Sequence, residues 1–405
     1  MPVQNTLKNW DELRQIAKPQ TSARWVLRSG QSPSTAPISR TLDHLAPGSK
    51  PPVLLYRDTN SWCPFCERVW FALEEKGIPY EVEFINLSDK PKWYTDMVPT
   101  GLVPAAKLEG ELVYESKDIL LALEERFGRS LLPDDPIEYR VARQLLEDSE
   151  TSGFLAISYK LLRADSSNTE ELTSLQAALE ARLDELEQAL AKYPGPYFLS
   201  TFSLVDIIYS PHLDRLAANL PVYRGYSIQG NNRFPRLNAW FNAIQQRPAY
   251  QRSASDRITN NLLLRRRFGI EPLQYPVVEP VQASTDLDYR AEAAARLSDN
   301  YEAAIGDILK NSGVQALVSE DKLVPVREAI DWHLRWLAEY LLSGHDSPLP
   351  GGRVGGIESV DPAIAAVGAI TLAYVRNRIC APRDMQAGAA TALRAAIDRI
   401  LVAIY

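Results

Sequence analysis

The chain has 405 residues, enough for two or three domains, with a net charge of −7 and an ordinary apolar content of 45%. The mild acidity and the lack of a basic block argue against nucleic acid, and the longest uncharged apolar-rich run, Pro362 to Val375, is too short to span a bilayer. Three cysteines make no disulfide framework in so long a chain, and the N-terminus lacks the apolar core of a secretory signal, so the reading is a soluble, cytoplasmic protein.

Residues 1–50 read as an N-terminal extension. Leu7, Trp10, Leu13 and Ile16 are spaced for one short amphipathic helix, and after Lys18 the composition turns to Ser, Thr, Pro and Gly, as in a loop. From Pro51 the pattern is strand, helix, strand. Val53-Leu54-Leu55-Tyr56 is an apolar run. Phe65, Val69, Ala72 and Leu73 then share one face of a helix over 64–76, with Pro64 at its first position and Gly77 past its end. Tyr80-Glu81-Val82-Glu83-Phe84 alternates as a half-buried strand does, so a βαβ unit is the economical reading. Asp89 to Met97 is a short, irregular helix. Ala105–Leu108 and Glu111–Tyr114 are hairpin strands joined by Glu109-Gly110, and Glu115-Ser116 caps a second helix carrying Ile119, Leu120, Leu123 and Phe127.

The chemistry concentrates in Cys63-Pro64-Phe65-Cys66. Cys63 falls at a helix N-terminus, where unpaired N–H groups and the helix dipole favour an anion, so its thiol should ionise more readily than one further along. Cys66, about one turn later, is close enough to attack a mixed disulfide formed on Cys63. The remaining Cys380 and the scattered His44, His212, His333 and His345 leave a zinc site short of ligands, and no metal is expected. Arg68 admits two readings, a charge near the thiolate or a surface arginine.

Taken together, Cys63-Pro64-Phe65, Asn86-Leu87-Ser88-Asp89-Lys90-Pro91, Gly101-Leu102-Val103-Pro104 and Tyr114-Glu115-Ser116 resemble the glutathione S-transferase superfamily, in particular its cysteine-type classes (omega, lambda and dehydroascorbate reductase). The resemblance is strong over about residues 53–130 and weaker to about 268. It implies an α/β thioredoxin-like domain followed by an all-α transferase domain. It further implies that Cys63 faces the sulfur of glutathione and that Val103 pairs its backbone with the tripeptide, with Pro104 cis. Ser116 would receive the γ-glutamyl carboxylate, Glu115 the γ-glutamyl ammonium and Lys90 the glycyl carboxylate. An ordinary helix cap at Glu115-Ser116 and a solvated Lys90 are the alternatives. Cys66 departs from those classes, which mostly carry one active-site cysteine, and resembles a dithiol glutaredoxin.

Beyond the thioredoxin-like segment the pattern is helical. Tyr139 to Leu162 is broken near Gly153, Leu172 to Leu190 form a long apolar stripe, and Ser203-Leu204-Val205-Asp206 has the form of a capping box. Helical patterns return near 286–311, 320–343, 361–377 and 384–404. Gly351-Gly352-Arg353-Val354-Gly355-Gly356 fits neither phosphate-loop spacing and reads as a plain loop, and Cys380 reads as structural. The domain reading is 51–131 thioredoxin-like, 132–270 helical transferase domain, 271–284 linker, and 285–405 a further all-α extension of unassigned role.

The functional expectation is a glutathione-dependent thiol transferase or reductase acting through a Cys63 thiolate, with glutathione as co-substrate and a small disulfide or electrophile as second substrate. Conjugation of glutathione to electrophiles, or a non-catalytic scaffold on a transferase fold, are the alternatives. No nucleic-acid or membrane partner is expected; the family resemblance implies a homodimer unless the extra region covers that face.

Overall fold

A computed structural model describes residues 7–20, 49–273, 286–317, 323–343 and 362–404. The Gly351–Gly356 run and most of the 271–284 linker lie outside the described residues. The chain divides into two compact units, one within Thr41–Pro276 and one joining Met1–Arg40 to Val277–Tyr405. Among the described residues no helix is long and apolar enough to cross a membrane.

The first unit begins as a thioredoxin-like sheet. Strand β1 (Val53–Asp58) runs parallel to β2 (Tyr80–Ile85), and the connection between them carries α2 (Pro64–Lys76); α1 (Trp10–Gln20) belongs to the other unit. β3 (Ala105–Leu108) pairs antiparallel with β1, and β4 (Glu111–Tyr114) with β3, giving the order β2-β1-β3-β4. β1 is one of the two inner strands and is buried at nearly every position, as its unbroken apolar run requires. Glu109 and Gly110 turn the hairpin at φ of 52° and 96°, the positive pair that matches strand twist. α3 (Lys92–Met97) precedes β3, and α4 (Ser116–Arg126) follows β4.

Among the described residues seven helices complete this unit: α5 (Pro136–Thr151), α6 (Phe154–Arg163), α7 (Thr169–Leu190), α8 (Leu204–Arg224), α9 (Pro235–Gln245), α10 (Pro248–Ser253) and α11 (Arg257–Phe268). Gly153, at φ 73°, makes the break between α5 and α6. α8 starts on the capping box of Ser203 and Asp206. The buried Asp206 carboxylate also accepts from the Phe198 N–H and the Trp240 indole, at 3.2 and 2.9 Å, and so ties α9 to the start of α8. Sheet and helices share one apolar core running from Val53 through Trp70 and Phe198 to Leu264.

α2 is the splice between sheet and helices, and it is fastened by charge. Glu67 pairs with Arg215 of α8 at 2.7 Å, Arg68 with Glu150 of α5 at 2.6 Å, and Glu74 and Glu75 with Arg252 and Arg247 around α10. Arg68 is only 1% exposed and also donates to the Ile208 carbonyl, so the surface-arginine reading does not hold. Its place on the inner face of α2, two residues past Cys66, demands a partner that local sequence does not reveal.

The second unit joins α1 (Trp10–Gln20) to α12 (Asp286–Asn311), α13 (Leu323–Ser343), α14 (Pro362–Arg378) and α15 (Ala387–Ile404). α12 is its axis, buried at every residue from Arg290 to Ser298. α1 lies on α12 and α13: Trp10 stacks on Tyr301 with ring centroids 4.7 Å apart and donates to Asp331 at 2.7 Å, while Leu13 and Ala17 are fully buried. An amphipathic helix of one apolar face needs such a wall, and residues 1–50 by themselves offer none. Gly368 is required because the His333 ring occupies the space its Cβ would take, bringing α14 against α13.

Two expectations follow from this packing. Leu13→Ala should destabilise the second unit by about 2–5 kcal/mol, the usual cost of a buried Leu-to-Ala cavity. Hydrogen exchange should quicken across α12 and α13 and stay unchanged in β1 and β2; equal protection everywhere would remove α1 from that core. The second concerns Glu67, whose carboxyl is raised by burial from its ordinary 4.5 to about 7 although Arg215 pulls it down. The folded chain therefore holds this proton more tightly than the unfolded one, and the stability so gained is present below about pH 4.5 and lost as pH rises through 7. Relative to Glu67→Gln, wild-type stability should decline across that window by on the order of 1–3 kcal/mol in denaturant titrations. Parallel pH curves would count against it.

Candidate active site

The strand β1 ends in Arg57-Asp58, and the turn that follows delivers Cys63 to the start of α2. Asp58 accepts the Trp62 N–H at 2.6 Å, Arg57 donates to the Ser61 hydroxyl at 3.1 Å, and Ser61 itself sits at φ 55°. A non-glycine residue at positive φ is held there by its surroundings. They are Arg215, which donates to the Trp62 and Ser61 carbonyls at 3.0 and 3.2 Å, and the Ser255 hydroxyl, 3.3 Å from the Ser61 carbonyl.

Cys63 is the N-cap of α2, with Pro64 behind it, and its own side chain makes no capping bond. Its sulfur is 3.7 Å from the Val103 carbonyl oxygen and the residue is 9% exposed. Val103–Pro104 is cis. The loop leading to it is pinned from α3 and the segment before it, because Lys90 donates to the Gly101 carbonyl at 2.8 Å and the Tyr94 hydroxyl to that of Leu102. Burial pushes the Tyr94 hydroxyl well up, so it remains a donor.

Cys66 lies deeper, 1% exposed, within hydrogen-bond reach of Cys63. Burial pushes its thiol well above the ordinary value; the bond to Cys63 and the charges of Cys63 and Asp58 push the same way. The cysteines are free thiols. Across the cis turn, β4 leads into Glu115 at φ 67° and then to Ser116, the first residue of α4. Ser116 is buried and Glu115 exposed. The helix-cap reading of this pair is corrected here: Glu115 holds the N-cap position, yet its side chain makes no capping bond. The α4 N-terminus thus keeps donors unused by a cap.

Cys63, Cys66, Val103, Pro104 and Lys90 are therefore brought together around one turn, with Glu115 and Ser116 at the helix start that follows the hairpin. Beside them, α6, α8 and α11 enclose a cleft lined by Trp62, Leu155, Tyr159, His212, Leu216 and Leu264. His212 is buried, its pKa lowered well below 6.5 by burial and then by the charges of Arg68 and Arg215, so the imidazole is neutral at physiological pH. Its Nε2 has no hydrogen-bond partner among the described residues. Among those residues no group of His, Cys, Asp or Glu is placed to hold a metal ion.

Sequence reasoning missed Arg215, Asp58, Ser255 and His212. One signal was available. From Leu204 to Tyr223 the chain is apolar on every side of a helix, and charges inside such a helix must be paired in the interior.

Residues 62–126 match the family description "Glutathione S-transferase, N-terminal domain", and residues 165–243 match "Glutathione S-transferase, C-terminal domain". The helices from α12 onward lie outside both matches. Glutathione S-transferase L3 of Arabidopsis thaliana is 32% identical over 230 residues, which are 55% of this chain and 89% of that one. Glutathione S-transferase omega-1 of Sus scrofa is 32% identical over 209 residues, 50% of this chain and 81% of that one. Glutathione S-transferase DHAR2 of Arabidopsis thaliana is 34% identical over 167 residues, 41% of this chain and 72% of that one. With both domain descriptions matched in order and relatives covered over most of their length, the chain belongs to the glutathione S-transferase family.

Proposed function

We propose that the protein is a glutathione-dependent thiol transferase or reductase whose nucleophile is the Cys63 thiolate. One observation carries the reading: the Cys63 sulfur stands at the N-terminus of α2, 3.7 Å from the Val103 carbonyl of the cis turn. A peptide laid along the Val103 backbone would bring its own cysteine to that sulfur. The γ-glutamyl carboxylate would take the unused donors at the start of α4 with the Ser116 hydroxyl, and Glu115 the ammonium. Lys90 gives one of its three donors to the Gly101 carbonyl, leaving two for a glycyl carboxylate.

The exchange is balanced without an outside oxidant. The Cys63 thiolate attacks the glutathionyl sulfur of a mixed disulfide, the old S–S bond breaks, and the partner leaves as thiolate. A second glutathione thiolate then attacks the adduct, releases Cys63 and departs as glutathione disulfide. Cys66 can replace that second thiolate, forming a Cys63–Cys66 disulfide and freeing glutathione. Its burial and raised pKa make this the slower branch. Thiol exchange also suits a Cys nucleophile better than conjugation, since Cys63 would itself capture a disulfide.

Cys63→Ser should abolish turnover of a glutathione mixed disulfide, and Cys66→Ser should retain it and accumulate a glutathione adduct on Cys63. Intact-mass and peptide mapping after exposure to glutathione disulfide reads both; full activity in Cys63→Ser would sink the assignment. Glu115→Ala and Ser116→Ala should each weaken glutathione binding by about 1.5–3 kcal/mol, the range for hydrogen bonds to charged groups. Calorimetry giving unchanged affinity in both would remove the γ-glutamyl site. Comparing a mixed disulfide, dehydroascorbate and a chlorinated aromatic as second substrates separates reduction from conjugation.

A further inference from the structure

Arg215 reaches the nucleophile's turn from the opposite domain of the same unit. It is on α8 and 5% exposed. Its Nε donates to the Trp62 carbonyl at 3.0 Å, its Nη2 to the Ser61 carbonyl at 3.2 Å, and its Nη1 to Glu67 Oε2 at 2.7 Å and the Pro211 carbonyl at 2.9 Å. Ser61 and Trp62 directly precede Cys63, and Glu67 follows it in the first turn of α2. One guanidinium therefore brackets the nucleophile on both sides in sequence.

We propose that Arg215 is a positioning residue for Cys63: its planar fork locks the Ser61–Trp62 turn to the first turn of α2 and so sets where the Cys63 sulfur stands against the Val103 carbonyl. The inference rests on Cys63 being the nucleophile. Other groups hold the same turn: Asp58 takes the Trp62 N–H, Ser255 and Arg57 hold Ser61, and Arg57 also lies over the Trp70 ring of α2, 4.0 Å from its centroid. Arg215 is distinguished by taking the Ser61 and Trp62 carbonyls and the Glu67 carboxylate with one planar group. Ser61 is held at positive φ, a conformation the backbone leaves when its restraints go. Lysine cannot replace the fork, because a single ammonium lacks the flat array of donors that reaches both carbonyls and the carboxylate at once.

The test compares Arg215→Lys, the double variant Arg215→Met with Glu67→Gln, and Arg247→Met. The double variant removes the ion pair without stranding a buried carboxylate. Arg247→Met breaks a link of the same kind, from beside α10 to Glu75 on the same helix, without touching the Ser61–Trp62 turn. Two readouts are taken in the full chain. One is kcat and glutathione KM for a mixed disulfide. The other is the pH profile of Cys63 alkylation by iodoacetamide, located by peptide mapping, which needs neither glutathione nor a second substrate.

Both Arg215 variants should remain folded and lose kcat by about 10- to 100-fold, the scale of a misplacement near 1 Å, with glutathione KM within about twofold. Their alkylation profile should move away from that of wild type. Arg247→Met should lower the melting temperature and leave kcat and the alkylation profile alone. The proposal is overturned if the Arg215 variants keep the wild-type kcat and profile, or if Arg247→Met loses as much. Should wild type show no turnover, thiol transfer fails as a reading and the alkylation profiles alone decide: coincident profiles overturn the positioning role, and displaced ones uphold it.

Discussion

Helix α8 is buried along nearly its whole length, and burial on that scale makes an unpaired charge in it costly. Each pairing becomes a join. Asp206 closes the capping box and gathers the Phe198 N–H and the Trp240 indole. Asn219 takes the Asn261 amide of α11, and Arg224 collects the Leu161, Leu162 and Ala164 carbonyls at the end of α6. Arg215 takes the turn before Cys63. The helical part is thus organised by what α8 must pair, and the Ser61–Trp62 turn before Cys63 is one of the groups conscripted.

Such pairing is a weak source of net stability. Desolvating Glu67 and Arg215 offsets most of what their attraction returns, which is why the Glu67 carboxyl drifts up toward 7 even beside a guanidinium. What the pair supplies is specificity of arrangement. An apolar contact of equal area would let α2 slide or roll against α8. A guanidinium facing two carbonyls and a carboxylate has one satisfactory position, and departing from it strands a buried charge. The same logic holds for Arg68, whose charge sits inside α2 and is met by Glu150 and the Ile208 carbonyl.

The parts visible in the sequence are those decided by neighbours along the chain. The βαβ alternation, Pro64 and Gly77 bounding α2, the Glu109-Gly110 hairpin and the Ser203–Asp206 capping box all rest on residues a few positions apart. The Cys63 and Val103-Pro104 motifs were likewise legible. What stayed hidden depends on partners far away. Glu67 meets Arg215 across 148 positions, and Trp10 meets Asp331 across 321, so no window of sequence contains both ends. Glu115 failed for a different reason. Glu-Ser before an apolar stripe looks like a cap, but the backbone leaves β4 at positive φ and the side chain takes no part in capping.

The two units also differ in what their burial is for. The first places buried charge around the turn before Cys63, so its core is interrupted where Arg57, Glu67, Arg68 and Arg215 lie. The second buries comparable charge in α12, where Arg290 meets the Tyr340 carbonyl, Glu292 the Gln386 N–H and Arg296 the Asp384 carbonyl. Those partners are backbone groups at helix ends and turns, which fix how α13 and α15 cross α12. The cores share no residue, and every group assigned to the thiol chemistry lies between Arg57 and Ser255. The second unit takes α1 from the other end of the chain into its own packing.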